Sequence, residues 1–477
     1  MNREVQPALS VLNQAQKERI HNYSLEILAR VGVRVESTRA RRHFARALNA
    51  GVEDKSVRIP AEWVHRALDA APSGIDLYDR LGNFRFRLGA ADNLQTRFGI
   101  GVTNLYYQDP KTNAVTPFSR RHMGLATRLG DALANYDVVS TVGILQDLPP
   151  QIADLYATLE MTANTTKPLV LLISEAQCFD AALDLLEHLH GDLSPKPFVL
   201  PYFNPITPLV LNADTTDNMA SAIERGLPII FNNYGMSGAT SPITAAGNLA
   251  LLNAELLAGL VFSQLVKQGT PVAMGSLPAG FNMQNMTSTY TPQTLLLNIA
   301  CAEMMAHYGL PHSGTSGSAP GWGADLTAGG ILWMNHLTAE LGKVGLAPFV
   351  GGNFDSTVFS PALAAYSDDV IGQARCFSRG FVIDDDSVAL DEIESIGPGG
   401  NFLTSDLTFE YCRQTDFSSS IWPEMTLEDW QAQGDPAADE ILRRYTCRLL
   451  GDAQAPVDRS ELISRGEAYI EQATGGP

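Results

Sequence analysis

The chain is poor in cysteine, short of basic residues and without a nucleotide-binding glycine signature. Its five cysteines (Cys178, Cys301, Cys376, Cys412 and Cys447) include no CxxC pair. That excludes a zinc ribbon and a disulfide framework, and it fits a reducing compartment. Lysine and arginine number 33 against 52 aspartates and glutamates, a net charge of −19. No basic run interrupts this field, so a phosphate backbone is repelled and no nucleic-acid partner is expected. The field favours cationic small molecules or basic protein patches instead. No GxGxxG follows a first strand and no phosphate loop is present. The opening MNREVQPALSVLNQAQKERI has no apolar core of signal-peptide length. The most apolar stretch, Leu249 to Val266, carries Asn253, Glu255 and Gln264, so it reads as a buried helix rather than a membrane span. The expectation is a soluble, cytoplasmic protein with no membrane contact.

What is present is core-forming material: 45% hydrophobic and 18% charged residues, too apolar for a disordered chain. Residues 1–92 read as an N-terminal α+β cap. Ile20, Tyr23, Ile27 and Val31 share a helical face, Pro60 opens a second helix, and IDLYD and FRFRL flank a turn at Leu81-Gly82-Asn83. From residue 93 to residue 379 a short apolar run, a turn and an amphipathic helix recur eight times. This is the pattern of a (β/α)₈ TIM barrel, with near-continuous apolar strands covered on both faces; a doubly wound sheet is the alternative. Residues 380–477 read as a helical extension that wraps the barrel flank or makes an oligomer contact.

In a TIM barrel the site lies at the carboxyl ends of the strands. Those ends deliver Phe98, Asp147, Glu175, Tyr202, Asn232, Asn233, Tyr234, Ser276, His312, Gly351 and Gly352, with Phe354 and Asp355 just beyond. The set holds no lysine, so a Schiff-base aldolase or pyridoxal enzyme lacks its residue. Only His312 among the histidines falls at a strand end and no cysteine does, so no protein-bound metal is expected. Asp147 reads as a helix cap. The run GTSGSAPGWG after the seventh strand is glycine-rich at the catalytic face, where Gly314 and Gly317, with Gly351 and Gly352, let a flat ligand approach the backbone.

Several segments carry a resemblance. ILARVGVRVES, VRIPAEWVHRALDAAPSG and LYDRLGN near the start, NTTKP at Asn164 to Pro168, GATSPITAAGNLALLNAELLAG at Gly238 to Gly259, and LDEIESIGPGGNFLTSDLTFEYCR at Leu390 to Arg413 occur in order over nearly the whole chain. In this the chain resembles the trimethylamine methyltransferase family, in particular the branch without pyrrolysine that includes glycine betaine methyltransferase. Two runs depart from the family pattern. Tyr234-Gly235-Met236-Ser237 replaces a Met-Pro-Met-type run, and GWGADLTAGGILWMN replaces a Thr-Asp-Ala-Lys-like run leading into Gln-Ala-x-x-Glu. The resemblance implies a TIM barrel, an oligomer, and methyl transfer from a glycine betaine-like quaternary amine to the cobalt of a corrinoid (cobalamin) carried by a separate partner protein.

The strand-end inventory suits that chemistry. A methyl leaving a fully alkylated nitrogen leaves a neutral amine, which needs no general acid, and the nucleophile comes with the corrinoid. Orientation remains as the protein's task. An aromatic cage of Phe98, Tyr202, Tyr234, Trp322 and Phe354 is therefore expected, with Glu175 or Asp355 adding negative potential. Asn232, Asn233 and His312 are the expected partners of a substrate carboxylate. Gly314, Gly317, Gly351 and Gly352 are the expected corrinoid contacts. A betaine-binding or sensory protein without transfer is the alternative, and a barrel lyase or decarboxylase a weaker third reading.

Overall fold

The computed structural model describes residues 4–48, 53–89, 95–101, 103–412 and 417–475. Asn93 and Leu94, read as the start of the first barrel strand, lie outside the described residues, as do the 92/93 boundary and Arg413. At the centre is a curled, mostly parallel eight-stranded sheet with helices on its outside, a barrel-like α/β architecture. In order of pairing it runs Thr287–Thr289, Val272–Asn282, Ile229–Ser237, Val199–Phe203, Leu169–Leu171, Val138–Ser140, Arg97–Ile100 and Leu346–Val350. Seven of these are the parallel strands expected. The eighth, Thr287–Thr289, is antiparallel and folds back on Val272–Asn282 as a hairpin.

The segment expected as strand seven contributes only bridges, Met274 with His312 and Ser313 with Leu346. Ser313 N–H donates to the Met274 carbonyl at 3.0 Å and Leu346 N–H to the His312 carbonyl at 3.0 Å. Two residues later a helix side chain takes over the backbone. Thr315 N–H donates to Asn298 Oδ1 at 3.1 Å and the Thr315 carbonyl accepts from Asn298 Nδ2 at 2.8 Å, which interrupts the pairing until Ser318 bridges Gly352. The outer helices fall where the periodicity puts them, among them Arg120–Ala132, Pro150–Asn164, Phe179–His190, Pro292–His307, Leu326–Leu341 and Pro361–Arg379. The apolar helix Ala245–Val266 is long enough to cross a membrane but is buried inside the protein; Asn253 and Glu255 on it are paired to neighbouring elements.

Two apolar layers result from the strand alternation. Inward-facing Val138, Val170, Leu200, Ile230, Ala273 and Leu346 meet Ile75, Leu77, Phe86 and Leu88 of the hairpin Gly74–Tyr78/Phe84–Gly89. That hairpin plugs the floor of the sheet, at the amino ends of its strands. A second cluster between sheet and helices also includes Ile20, Leu28, Phe44 and Val64 from the first seventy residues. The NTTKP segment knots these parts together. Asn164 Oδ1 accepts from Arg128 and Arg459, Lys167 Nζ caps the Gly130 and Leu133 carbonyls, and Arg80 binds both the Thr165 carbonyl and, through two bonds, Asp458. The tail helix Arg459–Thr474 packs Leu462 and Ile470 on helices Pro150–Asn164 and Phe179–His190.

If the hairpin is the floor, Leu77→Ala removes a fully buried side chain from it. The expected loss is about 2–5 kcal/mol, read as a lowered urea midpoint without a changed slope. A loss below about 1 kcal/mol, as for a surface change, would contradict the floor assignment.

Candidate functional site

Alternation along each strand decides which strand-end residues reach the mouth. On Ile229–Ser237, Ile230 faces inward, so Asn232 and Tyr234 do as well, and Phe231 and Asn233 face the helices. Asn232 Nδ2 donates to the Ser313 carbonyl at 3.0 Å and to Ser313 Oγ at 3.3 Å, over the strand between them. Tyr202, two residues beyond inward Leu200, meets Phe349 edge-on at 5.2 Å between ring centroids. Neither its buried hydroxyl nor Asn232 Oδ1 makes a well-aligned hydrogen bond among the described residues. Burial raises the Tyr202 phenol above its ordinary range, against the pull of the nearby Asn204 and Asn232 side chains.

Above this floor stands a cluster with one member that sequence reasoning missed. Tyr290, at the end of the hairpin after Thr287–Thr289, is partly buried and feels Tyr234, Tyr202 and Asp355 together. Burial raises its phenol, as it does that of Tyr234, whose neighbours are Ser288, Asp355 and Tyr290. The sixth strand read as ending at Ser276; it continues to Asn282, and this extension places Tyr290 beside Tyr234. The signal available was the alternation past Ser276 and the tyrosine just before the Thr291 cap of the next helix.

Asp355 closes the cluster. Burial pushes its carboxyl up to about 6, and the opposing pull comes from the Tyr290 backbone N–H. Its Oδ1 is buried without a partner. It stands in a run of three non-glycine residues with left-handed backbone, Phe354, Asp355 and Ser356, at φ 47°, 49° and 76°. Each such residue costs about 1–3 kcal/mol and persists only where surroundings over-determine it. The glycine-rich segment does this: Phe354 N–H donates to the Gly321 carbonyl at 3.1 Å, Asp355 N–H to the Ala319 carbonyl at 3.0 Å, and Ser318 bonds Ser356. Asn104 Nδ2 adds a bond to the Ser356 carbonyl at 2.7 Å.

Asp355 opens to a groove of ≈ 840 Å³ walled by Trp322, Phe354, Tyr106, Ser288 and Thr287 among others, with no lysine, arginine or histidine among the described residues of the wall. Trp322, 72% exposed, stands at its rim. A second cavity of ≈ 550 Å³ opens on the other side of the mouth and includes Tyr202 and Asn204. A carboxylate with aromatic faces and no cation beside it is an arrangement that holds a positive ligand.

Several expected site residues lie elsewhere. Phe98 faces outward, edge-on to His336 at 5.7 Å and beneath Arg375 at 5.6 Å, so it belongs to the layer between sheet and helices. Asn233 donates to the Leu252 carbonyl and to Glu255 on helix Ala245–Val266. His312 is buried on the outer face, bonded through Nδ1 to the Val344 carbonyl, and burial holds its pKa down at about 4. Its inward neighbour is Ser313. Glu175 takes the position before the short helix Ala176–Cys178 without a capping bond from its side chain, while its own N–H donates to Asp154 at 2.8 Å. Asp147 caps helix Arg120–Ala132 through the Arg120 N–H.

The four glycines are packing positions. Gly314, Gly317, Gly351 and Gly352 are all buried. A Cβ on Gly317 would stand 1.8 Å from the Phe349 carbonyl oxygen, and one on Gly314 2.4 Å from Asn298 Oδ1. They let the segment after His312 press on strand Leu346–Val350, and they do not fit a role as corrinoid contacts. Trp322 and Phe354, which wall the groove, are exposed apolar side chains, as are Ile243, Met283 and Met286. Among the described residues, no group of three or more His, Cys, Asp or Glu side chains is arranged to hold a metal ion.

Residues 2–474 match the trimethylamine methyltransferase (MTTB) family. The chain is 28% identical to the trimethylamine methyltransferase of Desulfitobacterium hafniense, over 94% of this chain and 92% of that one. It is 25% identical to a glycine betaine methyltransferase from another strain of the same species, over 98% and 97%. Among solved structures, the monomethylamine methyltransferase of Methanosarcina barkeri superposes with a TM-score of 0.54 at 9% identity, covering 98% of this chain and 88% of that one. This last likeness concerns the fold alone.

The site's charge state sets its pH dependence. A fixed cation binds the ionised carboxylate, so its affinity is full above the Asp355 pKa of about 6 and falls as pH drops through it. Calorimetric titration of tetramethylammonium at pH 5 and pH 7.5 should show roughly tenfold weaker binding at the lower pH, as one protonation step requires. Asp355→Asn should remove the difference. A pH-independent affinity in the unmodified chain would contradict the assignment.

Proposed function

Because the chain belongs to the trimethylamine methyltransferase family and is a methyltransferase, we propose that it moves a methyl group from a quaternary amine to the cobalt of a corrinoid carried by a separate protein. The curled sheet acts as a (β/α)₈ barrel, with His312 and Ser313 as its seam. The observation that carries the reading is the cluster of Tyr202, Tyr234, Tyr290 and Asp355 beside cavities with no basic side chain among their described lining residues.

The carbon–nitrogen bond breaks with its electron pair staying on nitrogen, and the methyl carbon accepts the pair brought by reduced cobalt. The amine leaves neutral, so no group of the chain has to donate a proton. This chain's residues capture, orient and dry the cation. The tyrosine faces hold it at about 0.5–2 kcal/mol per well-placed ring. The strained turn at Phe354 to Ser356 fixes Asp355 against it. Nitrogen loses its charge in the transition state, so Asp355 favours the bound substrate over the transition state and serves capture rather than acceleration. The rim of Trp322, Phe354, Met283, Met286 and Ile243 is the surface against which the partner's corrinoid is presented. Exposed Phe381, Leu390, Leu403 and Phe409 in the tail support an oligomer contact. A cytoplasmic setting agrees with the free cysteines.

The test is methyl transfer from quaternary amines to reduced free cobalamin, followed by its absorbance. Asp355→Asn should raise KM with kcat held or slightly raised. Tyr234→Ala should raise KM roughly 2- to 30-fold, the range of one ring's contribution. Binding without turnover would favour the sensory alternative, and an unchanged KM in both variants would remove the cage.

A further inference from the structure

Resting on the methyl-transfer reading above, we infer that the donor is a quaternary ammonium whose remainder carries no carboxylate, a choline-like or simple tetraalkyl cation rather than a betaine. An amino-acid betaine brings two opposite charges a few bonds apart. A site that binds it must pair both, because a buried carboxylate without a partner is costly. Among the described residues, the two cavities of this mouth offer a carboxylate neutral donors but no cationic side chain.

The negative side is complete. Asp355 is half-buried with an unpartnered oxygen, close to Tyr234 and Tyr290. No charged counterpart for a carboxylate stands beside it among the described residues. His312, the one basic residue at a strand end, turns its ring outward to the Val344 carbonyl and stays neutral. Asn233, the second donor expected there, is spent on Leu252 and Glu255. Asn232 is inward, but its amide N–H donates to Ser313 and its free atom is the carbonyl oxygen, an acceptor that repels a carboxylate. Among the described residues, neither cavity at the mouth has a lysine, arginine or histidine in its wall. Asp355 would itself face the carboxylate of a short betaine, and two like charges at that separation oppose binding. Beyond Asp355 the wall continues with Asn285, Thr287, Ser288 and Tyr106, neutral polar groups that suit an uncharged or hydroxylated tail and leave a carboxylate's charge unpaired.

Calorimetric titration of the full chain at pH 7.5 with four probes tests this: tetramethylammonium, choline, glycine betaine, and 3,3-dimethylbutan-1-ol, the neutral isostere of choline. The expected order places choline or tetramethylammonium at least about tenfold tighter than both glycine betaine and the neutral alcohol, the least that one unpaired charge or one missing ion pair costs at low dielectric. The same order is expected among the three cations as methyl donors to reduced cobalamin. Glycine betaine binding as tightly as choline would overturn the inference while leaving methyl transfer from a quaternary amine standing. Choline no tighter than its neutral isostere would remove the role of Asp355 and overturn the inference too. If no cation binds or reacts, the parent reading fails with it. The comparison uses the unmodified chain, so it does not depend on a variant folding.

Discussion

One half-buried carboxylate that no basic side chain in the wall of its groove neutralises is the constraint on which the mouth depends. Asp355 is held in place at a cost, through three consecutive left-handed residues and a burial that lifts its pKa to about 6. Structures retain such an arrangement where a ligand completes it. Everything around Asp355 works to keep it there. The backbone of Ala319 and Gly321 pins the turn, Ser318 and Asn104 hold Ser356, and buried Gly317 lets this segment lie directly on the strand before the turn. The glycine-rich run is thus a clamp on the acid.

The rest of the molecule makes that clamp possible by closing the other end. Hairpin side chains Ile75, Leu77, Phe86 and Leu88 fill the sheet interior from below, so the opening lies at the carboxyl ends of the strands. The most recognisable sequence motifs serve this scaffold and carry no chemistry of their own. Asn164, Thr165 and Lys167 stitch the floor hairpin, the third strand and the tail helix Arg459–Thr474 into one knot through Arg80, Arg128 and Arg459. Glu255 and Asn253, in the second motif, tie helix Ala245–Val266 to the loop before Val210 and to the N-terminal helix.

The scaffold was largely legible in the sequence because its signals are local. Helix Pro150–Asn164 begins at a proline and ends where its apolar face stops, and the turn at Leu81-Gly82-Asn83 joins two alternating strands as read. The site was legible only in part. Tyr202, Asn232, Tyr234 and Asp355 were placed at strand ends and do meet in the mouth. Asn233, Phe98 and His312 were collected from the same ends, yet the period of two turns them outward, and a list of strand-end residues loses that parity. The parity of His312 against Ser313 was readable; which of the two faced inward depended on bridges to Met274 and Leu346 that no local pattern carries. Tyr290 escaped because it rides on a hairpin extension beyond the expected strand end. The glycines, read as room for a ligand, are room for the protein's own backbone.

The central claim is that a permanent positive charge sits among Tyr202, Tyr234 and Tyr290 against Asp355. A crystal structure of the protein soaked with choline tests it most directly. The account predicts the ammonium nitrogen within about 6 Å of at least two of these ring centroids, the reach of a cation–π contact, and in contact with an Asp355 oxygen. A choline bound outside this cluster, or an Asp355 carboxylate turned away to a basic side chain, would contradict it.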